Sequence, residues 1–133
     1  MANGISLAGT WAYRSYRNTA DQPVFGAGLF TFATPSSTTL TGNLDMGGGL
    51  VLDLEGKVRP ADKGCPLTAE INGYGRAGTA TQGWEYDYYG FLAYQWPNGV
   101  DQVPSLVGSI VRAKPHDGGA AGVTASFIAV KQS

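Results

Sequence analysis

One cysteine and one histidine in 133 residues leave little material for thiol, redox or metal chemistry. Cys65 has no second cysteine to pair with, so the chain suits a reducing compartment or is indifferent to redox state. In Lys63-Gly64-Cys65-Pro66 it has a cation nearby but no histidine to activate it, and a structural or incidental role follows. His116 lies in a Pro/Gly-rich loop beside Asp117, and no Ser or Cys nucleophile is marked by a motif. It is read as a surface loop histidine, with a pH-dependent lid as the lesser option. The usual metal-ligand spacings are missing, so no metal site and no cofactor are expected.

Charge of one sign is also lacking. Nine Lys and Arg stand against ten Asp and Glu without a basic block, which removes the electrostatic footprint of a nucleic-acid binder and of a polybasic membrane anchor. No apolar run approaches the ~20 residues of a membrane span. The stretch from Met1 to Ala8 has neither the basic start nor the apolar core of a signal peptide. The expectation is a cytoplasmic protein with no nucleic-acid or membrane partner.

Helical spacing is absent too, and what replaces it is a succession of short alternating runs broken by Gly, Pro, Asn and Asp. The runs cover 9–17, 25–33, 39–45, 50–58, 67–74, 83–96, 105–113 and 122–131. The clearest hairpin joins the third and fourth across Met46-Gly47-Gly48-Gly49. Leu40, Gly42, Leu44, Leu50, Leu52 and Leu54 form its apolar face. The connections are mostly too short for crossover helices, so the neighbours are antiparallel. Twenty glycines, about twice the ordinary ~7%, favour sharply coiled strands. One all-β domain over 1–133 is expected, an antiparallel up-and-down barrel of about eight strands that removes its own edges.

The sixth run, Gly83 to Trp96, holds seven of the fifteen aromatic residues. Alternation puts Trp84, Tyr86, Tyr88, Gly90, Leu92, Tyr94 and Trp96 on one face, with Glu85, Asp87, Tyr89 and Phe91 on the other. The interior of an eight-stranded barrel is either filled by side chains or holds one small ligand. Glycines at Gly28, Gly42, Gly73, Gly90 and Gly108 would leave volume between the aromatic groups and favour a pocket. Trp84, Tyr86, Tyr88 and Tyr94 are then the candidate ligand-binding wall. With the opposite parity, Glu85 and Asp87 would point inward as an acid and base, with Arg14 or Arg112 as charge partner. The bland alternative is a packed core with a partly covered outer face.

The opening Leu7-Ala8-Gly9-Thr10-Trp11, a Gly-X-Trp entering the first strand of an eight-strand meander, resembles the start of calycin-type barrels. These include lipocalins, avidins and nitrobindin-like proteins. The resemblance implies that Trp11 closes one end of the barrel and makes Lys131 a candidate for the basic side chain that lies across it in lipocalins. The disulfides and later motif blocks of secreted lipocalins, the avidin tryptophan pattern and the carboxy-terminal histidine of nitrobindin-like proteins are not present, so haem or biotin binding does not carry over. The barrel of allene oxide cyclases is similar in size and shape only.

Three functional readings follow. The first is a protein that holds a small apolar or aromatic molecule inside the barrel. The second is a cofactor-independent cyclase or isomerase using Glu85, Asp87 and Arg14. The third is a homo-oligomeric interaction module that buries Tyr89 and Phe91 between subunits.

Overall fold

A computed structural model describes residues 6–133. Residues 1–5, part of the stretch read above for a leader, lie outside the described residues. Eight strands follow one another: β1 (Gly9–Arg17), β2 (Val24–Ser36), β3 (Thr39–Asp45), β4 (Val51–Arg59), β5 (Thr68–Gly75), β6 (Glu85–Leu92), β7 (Ser105–Arg112) and β8 (Thr124–Lys131). Each pairs antiparallel with the next, and β1 pairs with β8 to close the barrel. The expected fold class is met. No helix of the described residues is long and apolar enough to cross a membrane, which says nothing about strands.

Period-two alternation decides the inside. Trp11, Tyr13 and Ser15 of β1, Phe30 and Phe32 of β2, Tyr86 and Tyr88 of β6 and Phe127 of β8 are all buried. Their outward neighbours are not, which is the pattern of a sheet closed around its own core. Midway along the barrel, Tyr13, Phe30, Tyr88 and Phe127 form an aromatic cluster with edge-on or tilted rings. Its centroids lie between 4.9 Å (Tyr13 to Phe30) and 6.5 Å (Phe30 to Phe127). Such geometries match the aromatic quadrupole and add to the stabilisation from area burial.

The glycines serve packing here, not vacancy. A Cβ on Gly90 would lie 2.9 Å from Cζ of Phe127, and one on Gly73 would lie 3.3 Å from Cε1 of Tyr88. At these two positions the space the sequence suggested would stay open is occupied by aromatic rings from other strands, while at Gly28, Gly42 and Gly108 a Cβ would meet a carbonyl of the neighbouring backbone. The middle of the barrel is therefore filled by these rings, and among the described residues an open space lies toward each end.

At one end Trp11 is fully buried and its indole N–H donates to the Leu7 carbonyl at 2.8 Å. Lys131, paired with Trp11 across β1 and β8, holds its ammonium 5.2 Å from the indole ring and donates to the Ala8 carbonyl at 2.5 Å. The plug expected of Trp11, and the cation across it, are both present in the geometry.

Candidate functional site

The other end of the barrel is where Trp84 enters β6. The connection from β5 to β6 is anchored by Thr81, which is fully buried and donates to the Val51 carbonyl at 2.7 Å. Backbone bonds from Trp84 N to Thr81 O (2.9 Å) and from Gly75 N to Trp84 O (2.8 Å) then fix the entry into the strand. The Trp84 ring is thereby held against the mouth of the barrel, 6.4 Å from the ring of Tyr86.

The β7–β8 connection folds back over this mouth. His116 and Gly119 exchange backbone hydrogen bonds of 3.2 and 2.7 Å around Asp117 and Gly118, whose φ values are 47° and 79°. Two consecutive positive φ angles are what an Asp-Gly hairpin turn supplies. At Gly119 a Cβ would sit 2.5 Å from Nη1 of Arg112, so the bare glycine lets the turn lie on the guanidinium without displacing the end of that side chain.

That turn sets the His116 ring on Trp84, stacked with centroids 3.9 Å apart and planes 15° from parallel. The imidazole Nε2 lies 2.5 Å from the Tyr86 hydroxyl, and Nδ1 lies 3.1 Å from Oδ2 of Asp117. Arg112, opposite Tyr86 in the register, donates from Nε to the same hydroxyl at 3.1 Å. Because arginine can only donate, the Tyr86 oxygen is an acceptor for Arg112 and gives its own proton to His116. With a neutral imidazole this requires the proton on Nδ1, facing the Asp117 carboxylate. In the imidazolium form both ring nitrogens donate, and the Tyr86 proton is released toward another acceptor. The cluster can thus hold or move one proton at the Tyr86 oxygen.

Beneath the cluster is a cavity of about 360 Å³. Phe25, Trp84, Tyr86 and Tyr88 form its aromatic wall, and Leu44, Leu52 and Ile110 supply aliphatic surface. Burial pushes the Tyr13 hydroxyl well above its ordinary value, outweighing the opposing hydrogen bond to Ser15 at 2.8 Å. Burial does the same at Tyr88, reinforced by repulsion from Tyr13, Tyr86 and Asp87. Both hydroxyls are therefore neutral donors at physiological pH. Among the described residues every fully buried side-chain polar atom is hydrogen-bonded. The Tyr88 hydroxyl has no such partner among the described residues, so it opens onto the cavity it borders.

Of the four residues expected in a binding wall, Trp84, Tyr86 and Tyr88 come together here and Tyr94 does not. β6 ends at Leu92, and Ala93 N bonds to Ser105 O as the chain leaves over the Trp11 end. Alternation stops there, leaving Tyr94 70% and Trp96 67% exposed and packed edge-on at 4.9 Å. Tyr94 borders a separate groove with Leu7, Val58 and Leu92 at the opposite end of the barrel.

The interior acid/base pair is not formed. Tyr86 and Tyr88 take the inward positions, so Glu85 and Asp87 face outward. There Glu85 pairs with Lys114 at 3.3 Å and Asp87 accepts a 2.8 Å bond from Asn72. Arg14 is exposed on the outer face of β1, between Ala27 and Ile128. His116 corrects a further expectation: its side chain is only 14% exposed, under the turn and against Trp84. The Asp-Gly pair in its loop was the available signal, since a tight hairpin there brings the histidine back to the barrel. Arg112 was legible by parity, sharing the inward face of β7 with Leu106 and Ile110. Among the described residues no cluster of three metal-ligating side chains occurs.

No protein-family model and no curated protein matches the chain. Among solved structures it is similar to a redesigned beta barrel, with a TM-score of 0.54 at 16% identity over 96% of this chain and 92% of that one. That likeness shows the fold alone. A closed, eight-stranded antiparallel barrel is established, and no family membership comes with it.

Proposed function

We propose that this barrel binds a small, largely apolar or aromatic molecule in the cavity at the Trp84 end. The observation that carries the reading is the Tyr88 hydroxyl, a neutral donor without a partner among the described residues, on the wall of a cavity lined mostly by aromatic and aliphatic side chains. Apolar walls with a few oriented polar groups are the usual construction of a small-molecule site, and about 360 Å³ lies at the small end of the usual range. Stacked Trp84 and His116 border the same space. The cyclase or isomerase alternative loses the interior carboxylates on which it rested.

The test is titration with N-phenyl-1-naphthylamine, a neutral aromatic fluorophore. Saturable one-to-one binding is expected, weakened about tenfold or more in Tyr88→Ala and Trp84→Ala, the loss of one or two well-packed contacts. Absence of saturable binding overturns the reading.

A second reading, association between copies of the chain, is favoured by the outer surface. Phe91, Val107 and Ile128 lie side by side across β6, β7 and β8, and Phe91, Tyr89 and Ile128 are exposed. A contiguous apolar row of this kind marks an interaction surface more often than scattered exposed residues do.

A further inference from the structure

Arg112 is a half-buried cation at the mouth of the cavity with no anion beside it. Two of its five N–H groups are used, Nε on Tyr86 at 3.1 Å and Nη1 on the Ala120 carbonyl at 3.2 Å. Neither partner carries charge. No carboxylate of the described residues forms a salt bridge with it: Asp117 is directed to His116 and is 74% exposed, while Glu85 faces outward toward Lys114. The rings of Phe25 and Tyr86 flank the guanidinium at 5.2 and 5.9 Å, leaving it poor in water on those sides. Gly119, having no side chain, lets the turn lie against Nη1, while Nη2 has no protein acceptor among the described residues. A cation withdrawn from water and left without a counter-charge is costly, and a matching anion removes that cost.

From this arrangement we infer that the natural guest is amphipathic, with a carboxylate held at Arg112 and an apolar body lying inward along Trp84 and Tyr88. The inference rests on the binding reading above and names the class of ligand. Arg112 is the one permanently charged side chain on the cavity wall among the described residues. A single guanidinium with free Nη hydrogens matches the two oxygens of a carboxylate in a paired, planar geometry. A phosphate monoester, with its greater charge, would call for a second permanently charged cation, which this wall does not present among the described residues. Tyr86 acts as a positioning residue: it holds Nε in place, and its proton is committed to His116, so the N–H groups of Arg112 not used by Tyr86 and Ala120 are left for the guest.

The experiment compares three compounds by isothermal titration against the full chain: 4-phenylbutyrate, the isosteric 4-phenylbutan-1-ol, and acetate as the head group alone. The acid is expected to bind about tenfold or more tighter than the alcohol, in keeping with a charge-assisted bond in place of a neutral one. Acetate is expected to show no saturation in the same range. In Arg112→Met the acid should fall to the affinity of the alcohol, while N-phenyl-1-naphthylamine still binds and so reports an intact cavity. Should that variant fail to fold, Arg112→Lys keeps the charge, loses the fork, and is expected to bind the acid with intermediate affinity. Equal binding of acid and alcohol by the unaltered protein, with the neutral fluorophore still bound, overturns the inference and leaves the cavity reading standing. Acetate binding as tightly as 4-phenylbutyrate overturns it in favour of a free-anion site. Failure of all compounds, fluorophore included, overturns both readings.

Discussion

Tyr13 and Tyr88 carry the clearest titration signature in the molecule, because each must keep its proton to remain inside the barrel. Their folded pKa values lie above the ordinary 10.0, chiefly through burial. An acid whose pKa is raised by folding binds its proton more tightly in the native state. Its contribution is therefore fully present below the unfolded value and is lost as pH rises beyond it. Stability should be unaffected by these groups up to about pH 9 and fall progressively above about pH 10, as the unfolded chain loses protons that both groups keep when folded. Urea midpoints measured from about pH 8 to about pH 11 would show this, and Tyr88→Phe should remove about half of the slope. A slope unchanged in that variant would mean that Tyr88 titrates elsewhere. At the same scale, single residues were unevenly legible. Trp11 and Lys131 were candidates only through the resemblance of Gly9-Thr10-Trp11 to the start of calycin-type barrels, and they do meet. His116 could not, since a loop histidine shows nothing of its own about which ring it will reach.

Strands read well where the hydrogen-bond ladder and the composition agree. β1 and β3 begin and end where the alternating runs did, and β4, β5 and β7 differ by a residue at one end or each. β6 does not agree: its aromatic run continues to Trp96, but its pairing stops at Leu92. Aromatic content records what a segment could pack against, while strand length is set by how far the neighbours β5 and β7 extend. The paired glycines Gly90 and Gly108, opposite one another in β6 and β7, separate two kinds of close approach. A Cβ on Gly108 would lie 1.9 Å from the Tyr89 carbonyl, a backbone atom that cannot step aside, whereas one on Gly90 meets the Phe127 ring at 2.9 Å. Gly90→Ala should therefore cost about 1–3 kcal/mol by overpacking, and Gly108→Ala more than that. Urea denaturation of the two variants checks the order, and an equal or reversed order would mean that β7 can shift where the geometry says it cannot.

For the whole molecule the outer row Phe91, Val107 and Ile128 has the most direct consequence. With Phe91 40% exposed, Phe91→Lys should leave the barrel folded, its stability within about 0.5 kcal/mol, because the change is at the surface. If copies of the chain associate through this row, sedimentation velocity will show a larger species that Phe91→Lys shifts to monomer at the same concentration. A protein that sediments as a monomer before substitution removes that reading and leaves the cavity as the functional feature.

By itself the sequence determined most of the strands and the two alternating sets of residues along each, from which an antiparallel barrel was expected, because alternation is a property of residues two apart. Tyr86 and Tyr88 were assigned to one face and Glu85 and Asp87 to the other on that basis; which face was the inside awaited closure. Only the tertiary structure decided that the middle of the barrel is filled, since that depends on the Phe127 ring of β8 reaching over Gly90 of β6. It alone placed the cavity at the Trp84 end and separated Tyr94 from it. It also joined Tyr86 to His116, thirty residues apart. Such contacts arise between side chains on different strands and turns, where closure geometry, not local pattern, sets who meets whom.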